Sequence, residues 1–195
     1  MKAVIPVIII SLAIFILASS AATVSITHVN SQVKSGALTY IYFETVSGPS
    51  SSTPSTNTAL TPPGNSGSYQ VSRGSSAYLW SPQFTSVTQI SSGTWVLDLW
   101  ADGRTSGSMW VSIYVTNSAG TVQSTIVSNA LTPTIETSVT QVAMTFSGNS
   151  LTVPAGGYLN VVLFAPTGSG HPTYFTIYWG VGQFTNFQAP YRVLS

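Results

Sequence analysis

Cysteine is missing altogether, which removes disulfides, thiol nucleophiles and zinc-thiolate centres together. Charge is nearly as scarce. Lys2, Lys34, Arg73, Arg104 and Arg192 stand against Glu44, Asp98, Asp102 and Glu136, 5% of 195 residues, where an ordinary soluble domain carries about 25%. A net charge of +1 from dispersed cations argues against a nucleic-acid partner, which needs clustered Lys and Arg to neutralise phosphates. No Gly-x-Ser-x-Gly elbow occurs, and no glycine-rich phosphate loop; Gly156-Gly157 lies in a turn, Val153-Pro-Ala-Gly-Gly-Tyr158, that feeds a strand. No Asn-x-Ser/Thr triplet occurs either, so any glycan must be O-linked.

What wets the surface in place of charge is hydroxyl: the chain holds 31 Ser and 25 Thr. Hydrophobic residues make up 44% and aromatics 11%, ample for a core and incompatible with a disordered chain. So few titrating groups imply a stability that varies little between acid and neutral pH.

The first residues set the compartment. Lys2 is followed by Ala3, Val4, Ile5, Pro6, Val7, Ile8, Ile9, Ile10, Ser11, Leu12, Ala13, Ile14, Phe15, Ile16, Leu17 and Ala18, with Ser11 as the sole polar member. As a helix, residues 3–22 span roughly 30 Å at about 1.5 Å per residue, enough to cross a bilayer. Either this is a secretory signal cut near Ala21 or Ala22, or it is retained, anchored in a membrane or buried among copies of itself. The run Lys2-Ala3-Val4-Ile5-Pro6-Val7 before an apolar stretch resembles the N-terminus of archaeal type IV pilins. The resemblance implies cleavage between Lys2 and Ala3, a hydrophobic helix bundled with sister helices in a filament core, and an outward β-domain. Pro6 then sits in the first helical turn, where its missing N–H costs nothing.

From Leu38 onward, alternating apolar and polar positions between Gly, Pro, Ser and Asn turns predict an all-β domain, a β-sandwich or jelly roll over 35–195 preceded by the N-terminal segment 1–34. The expected strands are 38–46, 69–73, 77–80, 84–90, 95–101, 109–116, 121–128, 137–146, 158–165, 174–179 and 191–194. In Met109–Val115 the odd positions face the core and Trp110, Ser112 and Tyr114 face away; Phe175, Ile177 and Trp179 likewise oppose Tyr174, Thr176 and Tyr178. Asn117-Ser-Ala-Gly120 reads as a hairpin turn with Gly120 at positive φ. Residues 47–68, rich in Ser, Thr and Pro, belong to no strand and have the composition of a displayed, O-glycosylated loop.

Chemistry-bearing residues are few. Asp98 and Asp102 admit a weak cation site, but the plainer reading makes Asp102-Gly103 a turn and pairs Asp98 with Arg104. His28 and His171 lack the acidic or thiol neighbours of a metal set. Among the aromatics, Trp110, Tyr114, Tyr174 and Tyr178 are candidate subunit-interface residues, because each shares its face with Ser or Thr. The sequence thus reads as a non-enzymatic structural subunit of an extracellular adhesive filament, free of cofactor and metal. Its partners are copies of itself, a membrane before assembly, and O-linked glycans. Two alternatives remain open: a filament joined by donation of the strand Thr23–Val29, and a secreted carbohydrate-binding module.

Overall fold

Alternation along Trp95–Gly103, Trp110–Thr116 and Tyr174–Trp179 gives each stretch one apolar row, and burying those rows against one another is what the fold accomplishes. A computed structural model of the chain describes residues 39–45, 66–180 and 182–193. The expected assembly segment, with Ala3 through Leu17, lies outside the described residues, as do the donor strand Thr23–Val29, His28 and the expected loop up to residue 65.

The described residues are all β, with no helix among them. The strands are β1 (Thr39–Tyr42), β2 (Glu44–Thr45), β3 (Gly67–Ser72), β4 (Ser76–Trp80), β5 (Thr88–Ile90), β6 (Gly93–Gly103), β7 (Trp110–Thr116), β8 (Val122–Leu131), β9 (Thr140–Gly148), β10 (Leu151–Val153), β11 (Tyr158–Phe164), β12 (Tyr174–Trp179), β13 (Asn186–Ala189) and β14 (Tyr191–Val193). They form a sheet around β6, a second in the order β2-β4-β11-β7-β8, and a small third, β10-β5-β14. Every pairing between these strands is antiparallel.

In the first sheet β9 runs along one edge of β6, and β12 and β13 lie end to end along the other. Phe175–Tyr178 pair with Gly103–Trp100, and Asn186–Gln188 with Asp98–Val96. Where this composite strand breaks, the Thr185 hydroxyl takes over: it accepts the Trp100 N–H at 3.2 Å and donates to the Tyr178 carbonyl at 2.8 Å. β3 and β1 then pair with β12 and β13.

Both large sheets send their inward rows into one cluster. Leu97, Leu99, Ala101, Phe175 and Ile177 come from the first, and Val111, Ile113, Val115, Leu159, Val161 and Leu163 from the second. The expected turn also forms, with Gly120 at φ 78° and its N–H on the Asn117 carbonyl at 3.0 Å. The expected strands at 121–128 and 137–146 shift to 122–131 and 140–148, those at 151–153 and 186–189 are not among the expected ones, and three further differences have a visible cause. Residues 38–46 split at the buried Phe43, whose N–H bonds the Thr185 carbonyl at 3.0 Å while the chain passes from the first sheet to the second. Residues 84–90 shorten to β5, because Phe84 exchanges backbone bonds with the 156–157 turn (3.0 and 2.7 Å). The strand at 69–73 starts earlier, so Gly67 and Ser68 of the expected loop belong to β3.

Two packing details constrain the first sheet. Trp95 is sealed beneath β9, edge-on to Phe187 with 5.8 Å between ring centroids and its indole N–H on the Ser91 carbonyl at 3.0 Å. A Cβ on Gly148 would lie 2.3 Å from three atoms of that ring. On the outward side Asp98 is only 6% exposed, and burial pushes its carboxyl up, against hydrogen bonds from Gln188 and Gln141 that pull it down.

Gly148→Ala is expected to lower stability by about 1–3 kcal/mol, read as a drop in denaturation midpoint at unchanged slope, with the exposed neighbour Ser147→Ala as a neutral control. Because the folded state holds the Asp98 proton more tightly than the unfolded chain does, its stabilising term is complete below the unfolded carboxylate pKa of about 3.9 and is lost as pH rises through the raised folded value. Melting temperature should therefore climb slightly on acidification toward that range, and Asp98→Asn should abolish the climb. A decline in the wild type contradicts this assignment.

Candidate functional site

Three loops meet at one end of the first sheet, each short and built of Gly, Ser and Thr around one larger side chain. Ser72-Arg73-Gly74-Ser75 follows β3, Arg104-Thr-Ser-Gly107 follows β6, and Gly168-Ser-Gly-His171-Pro172 leads into β12. Backbone bonds lock them together: Arg73 N–H to the Thr173 carbonyl at 2.9 Å, Arg104 N–H to the Tyr174 carbonyl at 3.1 Å, and Gly103 N–H to the Glu136 carbonyl at 2.8 Å. Glycines at φ 76° (Gly74) and 96° (Gly170) supply the left-handed backbone these bends require.

Between the loops lies a cleft of about 360 Å³ lined by Arg73, Arg104, Thr105, Ser106, Gly170, His171 and Thr173. Arg73 is tied down: its Nη2 donates to the His171 carbonyl and its Nε to the Pro172 carbonyl at 3.2 Å. That bidentate grip fixes the His171 loop. The Arg104 guanidinium has no hydrogen-bond or ion-pair partner among the described residues, and Arg104 is part of the cleft lining. Ser106 donates to Glu136 Oε2 at 2.8 Å, so a hydroxyl on the cleft wall is polarised by a carboxylate. Chemically, the cleft offers cationic donors and the hydroxyls of Thr105 and Thr173, a set that matches a planar or tetrahedral anion. Among the described residues no group of three or more His, Asp and Glu gathers in metal-binding fashion.

The residues singled out by sequence fall elsewhere. Trp110 and Tyr114 project from the outward face of β7, Trp110 38% exposed beside the exposed Leu131 across the ladder. Tyr174 and Tyr178 project from the outward face of β12 in the other large sheet, so the structure brings these four together only as two separate pairs. Tyr178 donates to Asp102 Oδ2 at 2.8 Å, and burial together with that carboxylate raises its pKa. Asp98 and Asp102 share the outward row of β6, roughly 13 Å apart at about 3.3 Å per residue, and do not converge. Asp98 is held by Gln188 and Gln141, not by Arg104 as the plainer reading had it. Sequence reasoning passed over Arg73, Arg104, Ser106 and Glu136 and set His171 aside. The signal available was scarcity, since Arg73, Arg104 and Glu136 are three of only nine charges and each sits in a loop, where binding groups concentrate.

No protein-family model and no curated protein matches the chain. Solved structures do. Two structures of a CocE/NonD family hydrolase from Staphylococcus aureus match with TM-scores of 0.54 and 0.57 at 12% identity, over 80% and 81% of this chain and 37% and 36% of that one. An aminopeptidase from a marine sediment archaeon, Thaumarchaeota archaeon, matches with a TM-score of 0.50 at 8% identity, over 80% of this chain and 37% of that one. This chain thus spans little more than a third of the length of these structures, and at such identity the likeness is one of fold. It corrects the filament reading: the pilus subunit with an adhesive β-domain, its donor-strand and carbohydrate-module alternatives, and the exclusion of an enzyme all give way to a fold found in hydrolases. The physical reason is that the filament reading rested on residues 2–18, outside the described residues, and on outward aromatics that any β-domain can carry.

Proposed function

We propose that the described residues form a β-sandwich of jelly-roll type that belongs to a hydrolase system and captures an anionic group, a carboxylate foremost, in the cleft of Arg73, Arg104 and His171. One observation carries this reading: both described arginine side chains and the described histidine border the same cleft, in a chain that is 5% charged. Arg104 supplies the open fork, Arg73 adds charge while holding the loop, and Thr105 and Thr173 add neutral donors. Hydrolysis of an ester or peptide liberates a carboxylate, so a domain that grips one suits the company of the hydrolase and aminopeptidase whose fold it shares. The apolar stretch after Lys2 supports a location outside the cell, reached through a membrane.

A second reading rests on the contact of 2.8 Å between Ser106 and Glu136. A serine hydroxyl bonded to a carboxylate has the nucleophile-and-base arrangement of covalent hydrolysis, with Arg104 placed to meet developing negative charge. In that case the cleft itself turns over an ester.

Calorimetric titration of the full chain with acetate, succinate and the uncharged analogue acetamide decides the first reading. The acids should bind and acetamide should not, affinity should fall with salt, and Arg104→Gln should weaken binding at least tenfold, about 1.4 kcal/mol. Equal binding of acetate and acetamide, or an indifferent Arg104→Gln, sinks it. Turnover of a nitrophenyl ester that vanishes in Ser106→Ala while acid binding persists establishes the second.

A further inference from the structure

The cleft contains one group whose charge is not fixed. Arginine stays cationic at every pH a folded protein meets, whereas histidine changes charge between about pH 5 and 8. The chain has two histidines, and His171, the one among the described residues, lines the same cleft as both arginines. Its main chain is pinned. Arg73 Nη2 donates to the His171 carbonyl, and Arg73 Nε donates to the Pro172 carbonyl at 3.2 Å. Pro172 has a fixed φ and disfavours helical backbone in the residue before it. The imidazole thus projects from a loop that is held in place.

The other charges at this end of the sheet come from the elements packed around that loop. Arg73 reaches across from the β3–β4 turn, and Arg104 stands at the end of β6. Glu136 accepts the Ser106 hydroxyl at 2.8 Å, and Asp102 accepts the Tyr178 hydroxyl at 2.8 Å. A cleft of about 360 Å³ keeps any anion inside it within a Debye length, about 8–10 Å, of each lining charge. One added cation at contact range strengthens the attraction about fivefold even at the dielectric constant of bulk water, and more at a protein surface.

Resting on the carboxylate-capture reading, we propose that protonation of His171 switches the cleft between tight and loose holding of a carboxylate. With the imidazole charged, three cations face the anion; with it neutral, two do. The bound anion in turn strengthens proton binding by the same factor. The site therefore loads in mild acid and unloads as pH rises through the histidine range.

Calorimetric titration of the full chain with acetate at pH 6 and pH 8 tests this, because a carboxylic acid of this kind titrates near pH 4 and stays ionised throughout. Affinity should be at least threefold higher at pH 6. Binding at pH 7 should take up protons, seen as a heat that changes with the ionisation enthalpy of the buffer; this is measured on the unaltered chain and does not depend on a variant folding. His171→Gln should bind at the weaker level at both pH values, and His171→Arg, which keeps the cation, at the stronger level at both. Equal affinity at the two pH values, no proton uptake, or a pH slope that survives in His171→Gln overturns the switch and leaves carboxylate capture standing. Absence of acetate binding at either pH overturns both.

Discussion

The backbone of β6 must find partners along both edges, and most of the structure is arranged to provide them. Its 11 residues are paired with β9 on one side and with β12 and then β13 on the other. A strand so flanked cannot slip by one residue without turning Trp95, Leu97 and Leu99 outward. The same register sends Asp98, Trp100 and Asp102 to the outer face and delivers Arg104 to the cleft at the strand's end. Core, outward polar row and candidate site are consequences of one alignment.

Charge scarcity works alongside it. In a domain with abundant ions, an arginine in a loop is unremarkable, because most such groups simply keep the surface wet. Here serine and threonine do that task, which makes the gathering of Arg73, Arg104 and His171 informative. Arg73 reaches His171 across 98 positions of sequence, and the β3-β12 pairing is what closes that distance.

Much of the fold was legible because alternation is a local signal. Met109–Val115 and Tyr174–Trp179 declare their inward and outward rows in the sequence itself, and the Asn117–Gly120 turn declares its glycine. The break at Phe43 was not legible, since nothing local distinguishes a strand that continues from one that changes sheets. β13, reading Asn-Phe-Gln-Ala, lacks an aliphatic alternation and is a strand only because β6 and β1 flank it. The cleft was illegible for a related reason: three loops far apart in sequence contribute to it, and only tertiary pairing assembles them. The apolar stretch after Lys2, by contrast, is the loudest feature of the sequence and drew the functional reading toward filaments, although it carries no information about the strands that follow.

The junction between β12 and β13 is bridged by Thr185, whose hydroxyl joins Trp100 and Tyr178 and whose carbonyl accepts the Phe43 N–H, while each strand takes its alignment from β6. The chain between Trp179 and Asn186 therefore does not set the phase of either ladder. Residues can be inserted at the exposed Gly182, ahead of Phe184 and Thr185, at the small entropic cost of a longer loop, so evolution is free to graft lengths of chain there without disturbing the sheet.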